Sequence, residues 1–390
     1  MKINWPTKKL GEIINPQYGY TAPAKDEGDY RFVRITDIDE DGKLKRNDKK
    51  YISASLAEIK KYILAKGDLL VARTGSIGRM LYFDSDEPSI FASYLIRLNP
   101  DTSQVFSKYL WLFSHTPNYW RQVGLSASGA VQPQFNANRI KGIKILLPPL
   151  STQQKIVERL DAIRKAQELN DKQVALAEDL FRSLLHKELD SKGKNWEVKK
   201  IGDIVEVTSS KRIFQSEYIT DGIPFYRTKE IVELSQNKPI SLELFISEKR
   251  FDEINKKFGV PQKGDILISA VGTIGISWVV PDRRKFYFKD GNLLWIKNFN
   301  GIDSYYLKLV LDNIFKSISQ LAAGAAYNAL TIIKLKKIKI PVPRLKTQRQ
   351  IVEKLQAAQN YKKKLLAQKQ KLQELFESCL DKAMKGELVK

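Results

Sequence analysis

Leu146–Leu160 reads LLPPLSTQQKIVERL, and Ile340–Leu355 reads IPVPRLKTQRQIVEKL. In both stretches a strand-like segment ends at prolines, and a run with apolar residues at helical spacing follows. Working outward from this pair, other blocks also recur in the same order. KGDLLVARTGSIG (66–78) returns as KGDILISAVGTIG (263–275). Gln153 maps to Gln348, Gly67 to Gly264 and Trp5 to Trp196, which are offsets of 195, 197 and 191. A period near half of a 390-residue chain is too long for a solenoid repeat and corresponds to a duplicated domain with its connector. Strand-like pieces YRFVRI, DLLVAR, RMLYF and IKILLP are matched by IPFYRT, DILISA, ISWVVP and IKIPVP. SKYLWLFSHT and SYYLKLVLDN read as matching helices.

Each proline pair opens a long helix, with Ser151/Gln154 and Thr347/Gln350 at capping-box spacing. The first helix carries Ile156, Leu160, Ile163, Gln167, Asn170, Val174, Ala177, Phe181 and Leu184 in alternating steps of four and three. The second carries Ile351, Leu355, Ala358, Lys362, Leu365, Lys369, Leu372, Phe376 and Cys379. This is a coiled-coil seam, and the two helices are expected to pair antiparallel. Placing Ile156 opposite Cys379 sets Gln167 against Lys369 and Val174 against Lys362. The alternative bends the stripe toward Leu169, Leu176 and Leu366. Such helices are roughly 55 Å long at ~1.5 Å per residue, long enough to act as a ruler. The expected fold is mixed α+β. Two similar domains, 1–147 and 191–342, are separated by an antiparallel two-helix coiled coil from 148–190 and 343–390, with internal pseudo-twofold symmetry.

The formal net charge is +22, with 66 Lys and Arg against 44 Asp and Glu. Such an excess repels itself in a compact fold and points to a polyanionic partner, nucleic acid in preference to membrane. The single cysteine excludes an intramolecular disulfide, and one cysteine with two histidines argues against a Cys/His zinc cluster. No apolar run reaches membrane-spanning length and the N-terminus has no signal-type apolar region, so a cytoplasmic protein is expected.

The motifs that suggest chemistry fail on inspection. NPQY (15–18) is one residue away from the NPPY of amino-methyltransferases, but no strand and Gly-rich turn for S-adenosylmethionine can precede residue 15. RTGSIG and VGTIG lack the Lys-Ser/Thr of a P-loop and suit tight hairpins. No acidic-x-Lys follows Pro100–Asp101 or Pro281–Asp282 to make a nuclease site. No catalytic residue and no metal ligand set is identified. What remains suits DNA contact. In the first domain these residues are Tyr18, Tyr20, Arg73, Thr74 and Ser76, with Ser128, Gln132, Gln134, Asn136 and Asn138 in SASGAVQPQFNANRIKG, a loop rich in the side chains that read adenine. In the second they are Lys211, Arg212, Arg227, Lys229, Thr273, Arg283 and Arg284, with Tyr327 and Asn328 in the diverged counterpart loop.

Two variable domains, each followed by PPLSTQQKIVERL or PRLKTQRQIVEKL, resemble the specificity (S) subunit of type I restriction–modification enzymes. KGD-(L/I)-L…G-(S/T)-IG in each domain and the helix ends LFRSLLHKEL and LFESCLDKAMKGEL extend the resemblance over the whole chain; PVPRL in place of PPL is a small departure. The resemblance implies that each domain is a target recognition domain for one half of an interrupted DNA sequence. The helices would set the gap and dock two methyltransferase (M) subunits, through which motor/nuclease (R) subunits join. It implies no cofactor on this chain, with S-adenosylmethionine on M for adenine methylation and ATP and Mg on R. The rival readings are the specificity chain of a type IIB-like system, a self-contained adenine methyltransferase and a nonspecific architectural DNA binder.

Overall fold

The computed structural model describes residues 5–127, 135–321 and 329–387. The chain divides into two compact units, 1–172 with 366–390, and 173–365. Every sheet of the first unit has a counterpart in the second.

In the first unit, Gln17–Tyr18, Leu95–Arg97, Leu69–Ala72 and Met80–Tyr82 form an antiparallel sheet in that order. In the second, Glu206–Thr208, Leu293–Lys297, Ile266–Ser269 and Ser277–Val279 do the same. A smaller sheet pairs Tyr30–Val33 antiparallel with Tyr51–Ile52 and parallel with Ser89–Phe91. Its counterpart pairs Ile223–Tyr226 with Phe245–Ile246 and Tyr287–Phe288 in the same senses, with Tyr218–Ile219 added at the edge. Leu69–Ala72 and Ile266–Ser269 are buried on both faces, which is why DLLVA and DILIS read as unbroken apolar runs.

RTGSIG and VGTIG are hairpin turns joining two strands of each main sheet, as their glycines require. Gly78 and Gly275 have φ of +80° and +85°. A Cβ there would lie 2.8 Å from Val123 Cγ1 and 2.3 Å from Phe315 Cγ, so the turn also seats a helix against the sheet. SKYLWLFSHT and SYYLKLVLDN are both helical but end differently. Ser107–Phe113 stops before Pro117, where a new helix Pro117–Ala127 starts, whereas Ser304–Leu321 is continuous.

A last antiparallel strand pair returns each domain's end to its beginning. Thr7–Lys9 pairs with Lys144–Leu146, and Glu197–Lys200 with Lys339–Val342. The chain then enters the long helices Leu150–Leu189 and Leu345–Met384. The expected capping boxes do not form, because the helices begin before Ser151 and Thr347. The carbonyls of Pro149 and Arg344 already accept the Gln153 and Gln348 amides. Gln153 and Gln348, both fully buried, tie the helix starts to the domains. Gln153 Nε2 donates to the Gln104 and Pro148 carbonyls at 2.9 and 2.8 Å, and its Oε1 accepts from Phe106 N at 3.0 Å. Gln348 repeats this with Gly301 O and Pro343 O at 3.0 and 2.7 Å and Asp303 N at 2.7 Å.

Within the first unit the early part of the first helix lies against the late part of the second; Ile156 and Leu160 share a core with Phe376, Leu380 and Ala383. Within the second unit, Phe181 and Leu184 pack with Ile351 and Leu355. Both halves are therefore antiparallel. Ile163, Val174 and Leu372 are half-buried and Leu365 is buried, on the expected seam.

The register differs from expectation by about one turn. Gln167 donates to Leu372 O and Gln373 Oε1 at 3.3 and 3.2 Å instead of facing Lys369. Lys369 and Lys362 lie beside the seam, ion-paired with Asp171 at 2.7 Å and Glu178 at 3.3 Å. The shift buries Leu380 and Ala383, leaves Cys379 half-buried and gives each lysine a carboxylate. The stripe does not bend toward Leu169, Leu176 and Leu366, which are 62, 67 and 46 % exposed.

Arg164 of the first helix fixes the first domain to this pair. Its guanidinium centre lies 4.0 Å from the Trp111 ring and 4.9 Å from that of Phe376. The second domain has Lys308 at the position of Trp111, ion-paired with Asp312.

Candidate DNA interface

The main sheet brings four separate pieces of the first domain together. Tyr18 ends the edge strand, Arg73 follows the central strand, Tyr94 precedes its partner, and the stretch beginning at Phe135 closes over them. Arg73 N donates to Tyr94 O at 3.0 Å, and Arg73 O accepts from Phe135 N at 2.9 Å. These bonds fix the backbone of Arg73 on both sides. Its guanidinium lies 5.2 Å from the Tyr18 ring centroid, and the Tyr18 hydroxyl accepts from Ala137 N at 3.3 Å. Tyr18 and Tyr94 remain 41 and 61 % exposed, so the half-buried Arg73 lies against one open aromatic face and is bonded through its backbone to a second exposed tyrosine.

The second domain builds the same backbone frame. Ala270 N donates to Asn292 O and Ala270 O accepts from Leu330 N, both at 2.8 Å. Tyr18 stands opposite Ile96, itself opposite Val71. The residue in that place in the second domain is Ser209, next after Thr208, with its hydroxyl donating to Leu293 O at 3.2 Å. Asp68 and Asp265 confirm the alignment. Each caps the KGD turn and accepts from the residue that pairs, across the sheet, with the leucine two positions on: Arg97 Nη1, opposite Leu70, at 3.2 Å and Trp295 Nε1, opposite Leu267, at 2.8 Å.

Other residues singled out in the sequence fall differently. Thr74 and Ser76 lie half-buried in the first hairpin, and Thr273 is exposed in the second. Tyr20 packs on Tyr62, with ring centroids 5.1 Å apart, in the smaller sheet's core. Asn136 caps the helix Ala137–Gly142, accepting from Arg139 N at 3.1 Å, and Asn138 is exposed on its first turn. Ser128, Gln132, Gln134, Tyr327 and Asn328 lie outside the described residues.

Several basic residues of the second domain have carboxylate partners. Arg227 binds Glu230 at 2.7 Å and Glu243 at 2.8 Å, pairs that hold its guanidinium firmly charged. Lys229 shares Glu243 at 3.0 Å. Arg34 repeats the Arg227 clamp on Asp37 at 2.9 Å, so FVRITD and FYRTKE carry one structural device. The signal was present as an acid three residues after each arginine. Arg284 pairs with Asp282 at 2.6 Å and draws its carboxyl down to about 2, while Arg283 is exposed. Arg212 reaches Asp290 at 3.0 Å, and Lys211 lies 4.6 Å over the half-exposed Phe258 ring.

Asn15 and Gln17 of NPQY serve the fold. The Asn15 carbonyl accepts from Asn99 Nδ2 at 2.9 Å and Gln17 Oε1 from Arg97 at 2.6 Å. His115 lies against Trp111, its ring nitrogens 2.8 and 3.0 Å from the carbonyls of Trp111 and Asp41, and burial lowers its pKa. Among the described residues, no group of three or more His, Cys, Asp or Glu could hold a metal ion, and no helix is long and apolar enough to cross a membrane.

Duplicated domains, each tied to a long paired helix and carrying diverged residues on one backbone frame, define a chain built from two copies of one unit. The family model for the type I restriction modification DNA specificity domain matches it twice, at residues 2–178 and 193–375. The chain belongs to this family and is a type I restriction–modification specificity subunit. It is 26% identical to a putative MjaX specificity subunit of Methanocaldococcus jannaschii, over 98% of this chain and 92% of the relative. A putative specificity subunit of Haemophilus influenzae is 32% identical over a stretch covering 58% of each chain. The HsdS subunit of Thermoanaerobacter tengcongensis shares the fold, with a TM-score of 0.54 at 20% identity over 98% of this chain and 97% of that one.

Proposed function

We propose that each domain reads one half of a bipartite, interrupted duplex target. In this reading the long helices set the spacing and dock two M subunits, and through them R subunits, so that the chain directs adenine methylation and restriction without chemistry of its own. It holds no cofactor: S-adenosylmethionine is bound by M, and ATP and Mg by R. It works in the cytoplasm, where the DNA is.

The observation that carries this reading is the repeat of every sheet with substitution at the surface frame. Ala72 and Ser269 occupy one place in the two sheets, yet the next residues are Arg73 and Ala270. Two copies of one enzyme would be expected to keep the same reactive residues. Two readers of unlike half-sites must differ where they read. The +22 charge supplies the sequence-independent attraction.

The test is binding by the purified chain with its M subunits to duplexes carrying both half-sites, one, or neither. Full affinity should need both. Equal affinity for all at one salt concentration would mean nonspecific binding instead. Calorimetry of the chain alone with S-adenosylmethionine should show no binding; a saturable signal would favour a self-contained methyltransferase.

A further inference from the structure

We infer that three register-matched positions carry base choice in each recognition domain, and that Arg73 reads a guanine in the half-site of the first. The inference rests on the proposed reading of each domain as the reader of one half-site. The positions are Tyr18, Arg73 and Tyr94 in the first domain and Ser209, Ala270 and Asn292 in the second.

The frame at these positions is common to both domains. In both, the middle residue donates its amide to the third residue's carbonyl, and accepts from the stretch that precedes the last helix and strand, at Phe135 or Leu330. In both, the strand before it has the same partners in the same order. The side chains share nothing. An exposed tyrosine, a half-buried arginine and a second exposed tyrosine occupy them in one domain; a serine, a buried alanine and a half-buried asparagine occupy the other. Conservation of the core would select similar residues at equivalent places, as at Leu70 and Leu267 or Val71 and Ile268. A total change at three linked positions on an unchanged backbone is the pattern of a site that must recognise different things.

The chemistry of the first set is specific. The Arg73 backbone is fixed on both sides, and the Tyr18 face restricts where its guanidinium can lie. A planar fork with few accessible orientations suits the paired acceptors O6 and N7 of guanine, the base edge that arginine matches bidentately. The exposed Tyr18 ring adds an apolar face beside it, and Tyr94 is exposed at the neighbouring position of the frame. Ala270 offers no hydrogen bond, so the second domain cannot make this contact from the same place. Asn292 gives that domain an amide, which suits adenine.

The experiment expresses the full chain with its M subunits in a host without other adenine methylation, and maps methylated adenines across the genome by single-molecule sequencing. The arms are wild type, Arg73→Ala, Arg73→Gln, and Tyr18→Ser with Arg73→Ala and Tyr94→Asn. Wild type should give a bipartite motif. Arg73→Ala should relax one guanine in one half, its preference falling roughly 5- to 150-fold, with the other half unchanged. Arg73→Gln should move that position toward adenine, and the triple variant should relax that half further. The unchanged half reports that each variant is folded. The inference is overturned if Arg73→Ala leaves the motif intact, relaxes both halves, or relaxes a position that is not guanine. Loss of all methylation in every variant, Arg73→Gln included, would make Arg73 structural and also overturn it. If wild type gives no bipartite motif, the underlying functional reading fails first.

Discussion

Gln153 and Gln348 illustrate how single residues hold this fold. Each satisfies two carbonyls and one amide where a domain passes into a long helix, and each is fully buried. Replacing either by Ala removes these three bonds, one of them buried and two part-buried, and should cost about 2–4 kcal/mol. Urea unfolding of the full chain checks this; a loss under about 0.5 kcal/mol would show that the bonds are dispensable. His115 carries a pH signature. Burial holds its pKa below the ordinary 6.5, so protonation favours the unfolded chain. Its contribution is therefore fully present above pH 6.5 and is lost as pH falls from there through the lowered folded value. His115→Gln should flatten this part of the stability profile, measured by thermal unfolding between pH 7 and pH 5 (roughly the window in which histidine titrates). An unchanged slope would assign the pH dependence to other groups.

Among the elements, the two long helices make the sharpest predictions. Asn170 is 2 % exposed, and among the described residues neither its amide nitrogen nor its oxygen has a partner. Asn170→Leu should therefore stabilise the pair by about 1–2 kcal/mol, seen as a higher melting temperature; a lower one would mean the amide is satisfied. Removing one heptad from each helix at matched places keeps the seam facing its partner to within about 20°. It shortens each helix by roughly 10 Å, so the preferred gap should shrink by about three base pairs. Methylation mapping with an unchanged gap would refute the ruler.

These helices also show what could be read from sequence. Their existence follows from the four–three alternation, because that pattern is local. The antiparallel sense follows from the duplication, because a parallel pair would put both domains at one end while an antiparallel pair lets each copy meet one half of a two-part site. The register does not. It depends on Lys369 and Lys362 finding Asp171 and Glu178, residues far away in sequence, and on the burial of Leu380 and Ala383 in place of Cys379. The same holds for the candidate site. Tyr18 and Arg73 were recognisable from NPQY and RTGSIG, but Tyr94 joins them only through sheet register. The Arg227 pair with Glu230 is signalled by an acid three residues on, whereas Glu243 reaches the same guanidinium only through the fold.

For the whole molecule, the charge and the duplication determine what can be tested. With 66 basic and 44 acidic residues, the chain should bind any duplex at low salt. If six to ten phosphates are contacted, affinity should fall on the order of a thousand-fold or more between 50 and 200 mM salt, while the preference for the correct sequence over a scrambled one survives. Fluorescence anisotropy across that range tests this, and a preference that vanishes with salt would indicate an architectural binder. The central claim is that two domains on one chain read two halves of one address. Single-molecule sequencing of methylated adenines, with the chain and its M subunits expressed together, tests it most directly. The account predicts two short blocks of fixed bases, separated by a constant number of unspecified base pairs, with a methylated adenine in each block. A continuous motif, a single block, or a gap of variable length would contradict it.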